Sequence, residues 1–214
     1  MLRALKPVEQ GWLDTFVDAL GAIVKSAVAT DGAGREVPLD GVVGWAVDTA
    51  RAAHDDGNKL IFVGNGGSAG IASHMAADYS KNGNLRALAM NDSSMLTCLG
   101  NDFGYEHVFA KQIEFHGRKD DFLVAISSSG RSQNILNAAA TARRMGCTVM
   151  TLSGFTPDNP LRKLGDRNIF LDSDVYSFVE IGHLALCHAM LDYSMRWPDR
   201  EGQRPRGSAG SVGG

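Results

Sequence analysis

From Lys59 onward, short apolar runs stop at turns and give way to stretches with helical periodicity. The runs are LIFVG (60–64), ALAM (87–90), DFLVAIS (121–127), TVMTLSG (148–154) and NIFLD (168–172). Between them the pattern predicts a helix from about Ser68, one from Ser132 to Met145, a short one near 160–164, and a last one from about Tyr176 to Met195. Strands this uniformly apolar need cover on both faces, so the alternation implies a parallel sheet between helical layers, an α/β fold. In open sheets of this kind ligands sit beyond the carboxyl ends of the strands. Chemistry is therefore expected where strands turn into helices.

The region before Lys59 reads differently. Leu13, Phe16, Val17, Leu20, Ile23 and Val24 recur at spacings of three and four, an apolar helical stripe. Residues 30–40 (TDGAGREVPLD) read as a break, and a second helix runs from about Asp40 to His54. The chain thus divides into an N-terminal helical segment (1–58) that packs on the domain or on another copy, an α/β domain (59–197), and a tail (198–214). The tail is so poor in apolar groups that disorder is expected.

Composition narrows the function classes. In 214 residues the net charge is −3, so there is no nucleic-acid footprint. No run approaches the roughly 18 apolar residues of a membrane span. Residues 1–24 lack the basic-then-apolar order of a signal peptide. Cys98, Cys147 and Cys187 form no CxxC pair and read as reduced, buried thiols of a cytoplasmic protein.

Two junctions stand out. IFVGNGGS (61–68) ends a strand in Gly64, Gly66 and Gly67 before Ser68 opens a helix. Glycines admit a ligand close to the backbone, and a helix start offers free N–H groups. The spacing is neither GxGxxG nor a P-loop, so no nucleotide cofactor is expected. AISSSGRS (125–132) ends another strand in Ser127, Ser128, Ser129, Gly130, Arg131 and Ser132. Hydroxyls and helix N–H groups together make a neutral cradle for a phosphate dianion. Arg131 either adds charge to that cradle or faces water.

Two helices carry titratable groups. His74 and Asp78 are four apart, on one face. Glu180, His183 and His188 lie on the very apolar last helix, where an unpaired polar group is expensive. His183 reads as a core residue. His74, Asp78, Glu180 and His188 form a set of N/O ligands for zinc or a similar ion, or alternatively an acid and base for proton transfer.

Together these motifs resemble the SIS (sugar isomerase) domain family, and within it the phosphoheptose isomerases. The resemblance spans roughly residues 10–195 and is sharpest at GNGGS (64–68), LTCLGNDFGYEHVF (96–109), SSSGRS (127–132) and VEIGHLALCH (179–188). It implies that Ser68, Ser127, Ser128, Ser129 and Ser132 bind phosphate and that Asn65, Gly66 and Gly67 line the sugar site. It implies that Asp78, Glu180 and His188 are catalytic. His74, Asp78, Glu180 and His188 would hold one zinc per site. The implied reaction is aldose–ketose isomerisation of sedoheptulose 7-phosphate, in a homotetramer with shared active sites. Three positions depart from the family pattern: Asp78 replaces a Glu, Glu180 a Gln, and Ser177 an Asp. They keep open a second reading, a non-catalytic module that binds sugar phosphates or a partner protein.

Overall fold

A computed structural model describes residues 8–195. The expected tail 198–214 lies outside the described residues. In chain order the elements are α1 (Trp12–Lys25), β1 (Val28–Asp31), β2 (Glu36–Val37), α2 (Leu39–Asp55), β3 (Leu60–Val63), α3 (Gly67–Lys81), β4 (Ala87–Ala89), α4 (Ser93–Phe103), α5 (Val108–His116), β5 (Phe122–Ser127), α6 (Gln133–Arg144), β6 (Thr148–Gly154), β7 (Arg167–Leu171) and α7 (Tyr176–Ser194). Short 3-10 turns cover Tyr105–His107 and Pro160–Lys163. No described helix is long and apolar enough to cross a membrane.

The seven strands form one sheet, in the order β2-β1-β7-β6-β5-β3-β4. From β7 to β4 every pairing is parallel. Successive side chains on a strand point to opposite faces, and that period sorts each apolar run into two cores. Leu60, Phe62, Phe122, Val124, Ile126, Met150 and Leu152 enter one core with residues of α2, α3 and α7. Ile61, Val63, Leu123, Ala125 and Val149 enter the other with residues of α4, α5 and α6. This double coverage explains why the runs show no hydrophobic–polar alternation.

The break expected at 30–40 is corrected by the structure to a hairpin. β1 pairs antiparallel with both β2 and β7 and extends the sheet. Asp31 closes the turn, accepting from the backbone N–H of Ala33 (2.9 Å) and Arg35 (3.0 Å) and from Arg35 Nε (2.8 Å). These bonds, the Arg35 side chain's first, hold the Asp31 carboxyl below its usual range. Gly, Asp and Arg at the turn look like a loop, and strands of four and two residues are too short to show a period.

Helix α1 forms as its stripe predicts, yet none of its residues is fully buried. Phe16 packs against Phe178 of α7 with ring centroids 5.0 Å apart, while Trp12, Leu13 and Val17 stay exposed. An apolar face left open in this way is uncommon on a protein that works alone.

Candidate active site

The carboxyl ends of β3 and β5 open side by side into a cavity of about 230 Å³. It is lined by Asn65, Gly66, Gly67 and Ser68 from the first junction and Ser127, Ser128, Ser129 and Ser132 from the second. Every residue expected to bind substrate lies there. Ser132 is the residue before α6, but its hydroxyl does not cap the helix, and no side chain caps α3. In the absence of caps, the first-turn amides of both helices point their partial positive charge at one space.

The serine loop is held from behind by backbone. Gly130 N–H donates to Ser127 O (3.0 Å), Gly154 N–H to Ser128 O (2.9 Å), and Leu161 N–H to Gly130 O (3.2 Å). Gly130 has φ +60°, and a side chain on it would collide with Asn159. Asn159 is fully buried and donates to Ser153 Oγ (3.1 Å) and Thr156 O (2.8 Å). The hydroxyls are thus presented from a fixed frame. Of the two roles open to Arg131, the structure shows the one that faces water, paired with exposed groups. Its guanidinium turns outward to Asp158 Oδ1 (3.0 Å) and Thr156 Oγ1 (3.3 Å).

The titratable residues divide into two places. Helices α3 and α7 lie side by side, so Gly67 meets Glu180 at one end and His74 meets His188 two turns further on. Glu180 lines the serine cavity. A Cβ on Gly67 would lie 2.5 Å from its carboxylate, so only glycine leaves room for it. His74 Nε2 and His188 Nε2 are 3.2 Å apart, and Asp78 Oδ2 is 3.5 Å from His74 Nε2. Ligand atoms of these three residues all fall within 4.8 Å of one another. Glu180 is not among them. Three of the four expected ligands thus gather in one cluster, and the fourth, Glu180, lines the serine cavity on the same helix seam.

The cluster suits a divalent ion. Two imidazole nitrogens 3.2 Å apart match the spacing of ligands around a tetrahedral zinc, with Zn–N bonds of about 2.0–2.1 Å. Two nitrogens and a carboxylate oxygen leave one position for water or substrate. Ser177 is exposed and lines neither place.

His183 is fully buried, as its core reading requires. Nε2 donates to Ser153 O at 3.1 Å, and Nδ1 has no hydrogen-bond partner. Burial pushes its pKa down to about 4, so the ring is neutral. Cys147 and Cys187 are buried free thiols, pushed up by burial to about 11 and about 12. Cys98 corrects the buried reading: α4 turns it outward, 3.8 Å from Asp102.

Sequence reasoning missed two site residues. Tyr176 lines the cavity from the start of α7, its ring 4.7 Å from Phe155. Asn134 bonds to Asn65 from α6. Neither carries a sequence signal, because each reaches the site only through the docking of its helix.

Known proteins resemble this chain in sequence and in fold. The SIS domain family's sequence profile matches residues 39–154. The phosphoheptose isomerase of Akkermansia muciniphila is 38% identical over 160 residues, covering 72% of this chain and 82% of its own. That of Paramagnetospirillum magneticum is 36% identical, covering 83% and 93%. The solved phosphoheptose isomerase of Neisseria gonorrhoeae superposes with a TM-score of 0.72 at 28% identity, covering 87% of this chain and 98% of that one.

Proposed function

The chain belongs to the SIS domain family, and from that premise we propose that it is a phosphoheptose isomerase, an enzyme that interconverts sedoheptulose 7-phosphate and an aldoheptose 7-phosphate. The observation that carries this reading is a neutral hydroxyl and amide cradle with a carboxylate in the same cavity. The cradle holds the phosphate dianion through hydroxyls and helix-start amides. The open-chain sugar then runs along the seam between α3 and α7, towards His74 and His188.

The reaction moves a proton between C1 and C2 through an enediol. Glu180 takes that role in our reading, because it lines the cavity while Asp78 is paired with His74. Glu180 removes the proton from the carbon beside the carbonyl and returns it to the neighbouring carbon. Tyr176 and the loop glycines line the cavity beside Glu180. Charge grows on the sugar oxygens as the proton leaves, and His188 faces that end. A zinc held by His74, Asp78 and His188 would supply Lewis-acid stabilisation of those oxygens.

Two further parts of the reading concern setting. The protein works in the cytoplasm, which fits its free thiols. It assembles as a homotetramer. The open apolar face of α1 and the surface position of the histidine cluster support this, since both gain cover from a second copy.

The test is hydrogen exchange at C1 and C2 of sedoheptulose 7-phosphate in deuterated water. Wild type is expected to exchange, and Glu180→Gln to lose about 10²–10⁴-fold in rate with phosphate affinity retained. A fully active Glu180→Gln variant would assign the base to Asp78 instead.

A further inference from the structure

Asn65 stands at the mouth of the cavity, and its side-chain amide is nearly spent on protein partners. Its Oδ1 accepts from Asn134 Nδ2 (2.9 Å) and from the Tyr105 hydroxyl (3.2 Å). Its Nδ2 donates to Asn134 Oδ1 at 2.8 Å. An asparagine amide has two acceptor sites and two donors. One Nδ2–H of Asn65 is left without a partner among the described residues, on a residue that lines the cavity.

Asn134 is buried, so its amide has no water to fall back on and holds the pair closed. It sits in the first turn of α6, directly after the serine loop. One turn further along, Asn137 Nδ2 donates to Glu106 O at 2.8 Å and so grips the 3-10 turn that carries Tyr105. The helix that anchors the phosphate therefore also fixes the orientation of a donor in the sugar part of the cavity.

We infer that Asn134 and Tyr105 are positioning residues that lock the amide of Asn65 so that it offers an N–H, and not a carbonyl, to an oxygen of the open-chain sugar. The inference rests on the sugar-phosphate reading of the cavity. Its consequence is specificity. The locked donor adds affinity for a phosphorylated polyol or ketose over bare phosphate, and a sugar lacking that oxygen loses the gain.

The test compares dissociation constants for sedoheptulose 7-phosphate and for inorganic phosphate in wild type, Tyr105→Phe and Asn134→Asp, by calorimetry. Tyr105 is 59% exposed, so Tyr105→Phe deletes one hydroxyl with little risk to folding. It is expected to weaken sugar-phosphate binding about three- to tenfold, with inorganic phosphate unchanged. Asn134→Asp removes the N–H that Asn65 Oδ1 accepts and sets an acceptor against it, so the reciprocal pair breaks and the variant is expected to cost tenfold or more on the same measure. Equal ratios of the two dissociation constants in all three proteins overturn the inference, even if the variants melt earlier or turn over more slowly. A wild type that prefers the sugar phosphate yet exchanges no hydrogen counts against the isomerase reading alone.

Discussion

The serine cradle and the histidine cluster lie on one helix seam but are built in opposite ways. The cradle is made of loops pinned by backbone hydrogen bonds and by buried Asn159, and its shape exists before any ligand arrives. The cluster is three side chains on helix surfaces, with His74 exposed and its neighbours half-buried. Binding a phosphate dianion takes many weak donors at fixed positions, which backbone supplies at no further entropy cost. Proton transfer and metal ligation take particular side chains, which must keep some freedom. The difference teaches that the binding loops are fixed by their own backbone, while the histidine cluster exists only through the way α3 and α7 pack.

The largest effect expected is on the cradle. Ser127→Ala, Ser129→Ala and Ser132→Ala together remove three hydroxyls from the residues that line the cavity and that our reading assigns to the phosphate. With hydrogen bonds to charged groups each worth about 1.5–3 kcal/mol, phosphate affinity falls by roughly 10³-fold or more. Calorimetry with inorganic phosphate measures it, and an unchanged constant would dissolve the contrast between the two halves.

The cradle's frame should fail with acid. His183 is neutral when folded, with its pKa at about 4 against 6.5 when free. Its contribution to stability is complete above pH 6.5. As pH falls from 6.5 to 4 the unfolded chain takes up a proton that the folded one refuses, and about 3 kcal/mol is lost. Denaturant titrations across that range should show the slope in wild type and lose this part of it in His183→Gln. Equal slopes in the two proteins would mean that the ring is not neutral in the fold.

Gly67→Ala probes the joint between the halves. The new methyl group displaces the Glu180 carboxylate, and a shift of that order costs about 10²-fold in kcat. Inorganic phosphate affinity should fall less, since the hydroxyls at 127–132 are untouched. A parallel loss of both would show that the cradle and the carboxylate move together.

Arg131→Ala should do least. Its pair with Asp158 is exposed and points away from the cavity, so phosphate affinity and stability change by less than about 0.5 kcal/mol. A larger loss of phosphate affinity would mean that the guanidinium swings inward to the ligand.

What the sequence determined by itself was the layered sheet and the binding loops. Apolar runs ending in Gly or Ser clusters constrain backbone locally, and every cradle residue from Asn65 to Ser132 was legible because its neighbours in sequence are its neighbours in space. The hairpin at 28–37 was hidden, since its strands are too short for a period and gain their pairing from β7. Only the tertiary structure decided how α3 and α7 align. That alignment puts Glu180 in the cavity, gathers His74, Asp78 and His188 two turns away, and turns Cys98 outward on α4 while Asn134 turns inward on α6. Helical spacing says which residues share a face, but the partner of a face is chosen by packing across a hundred residues of chain.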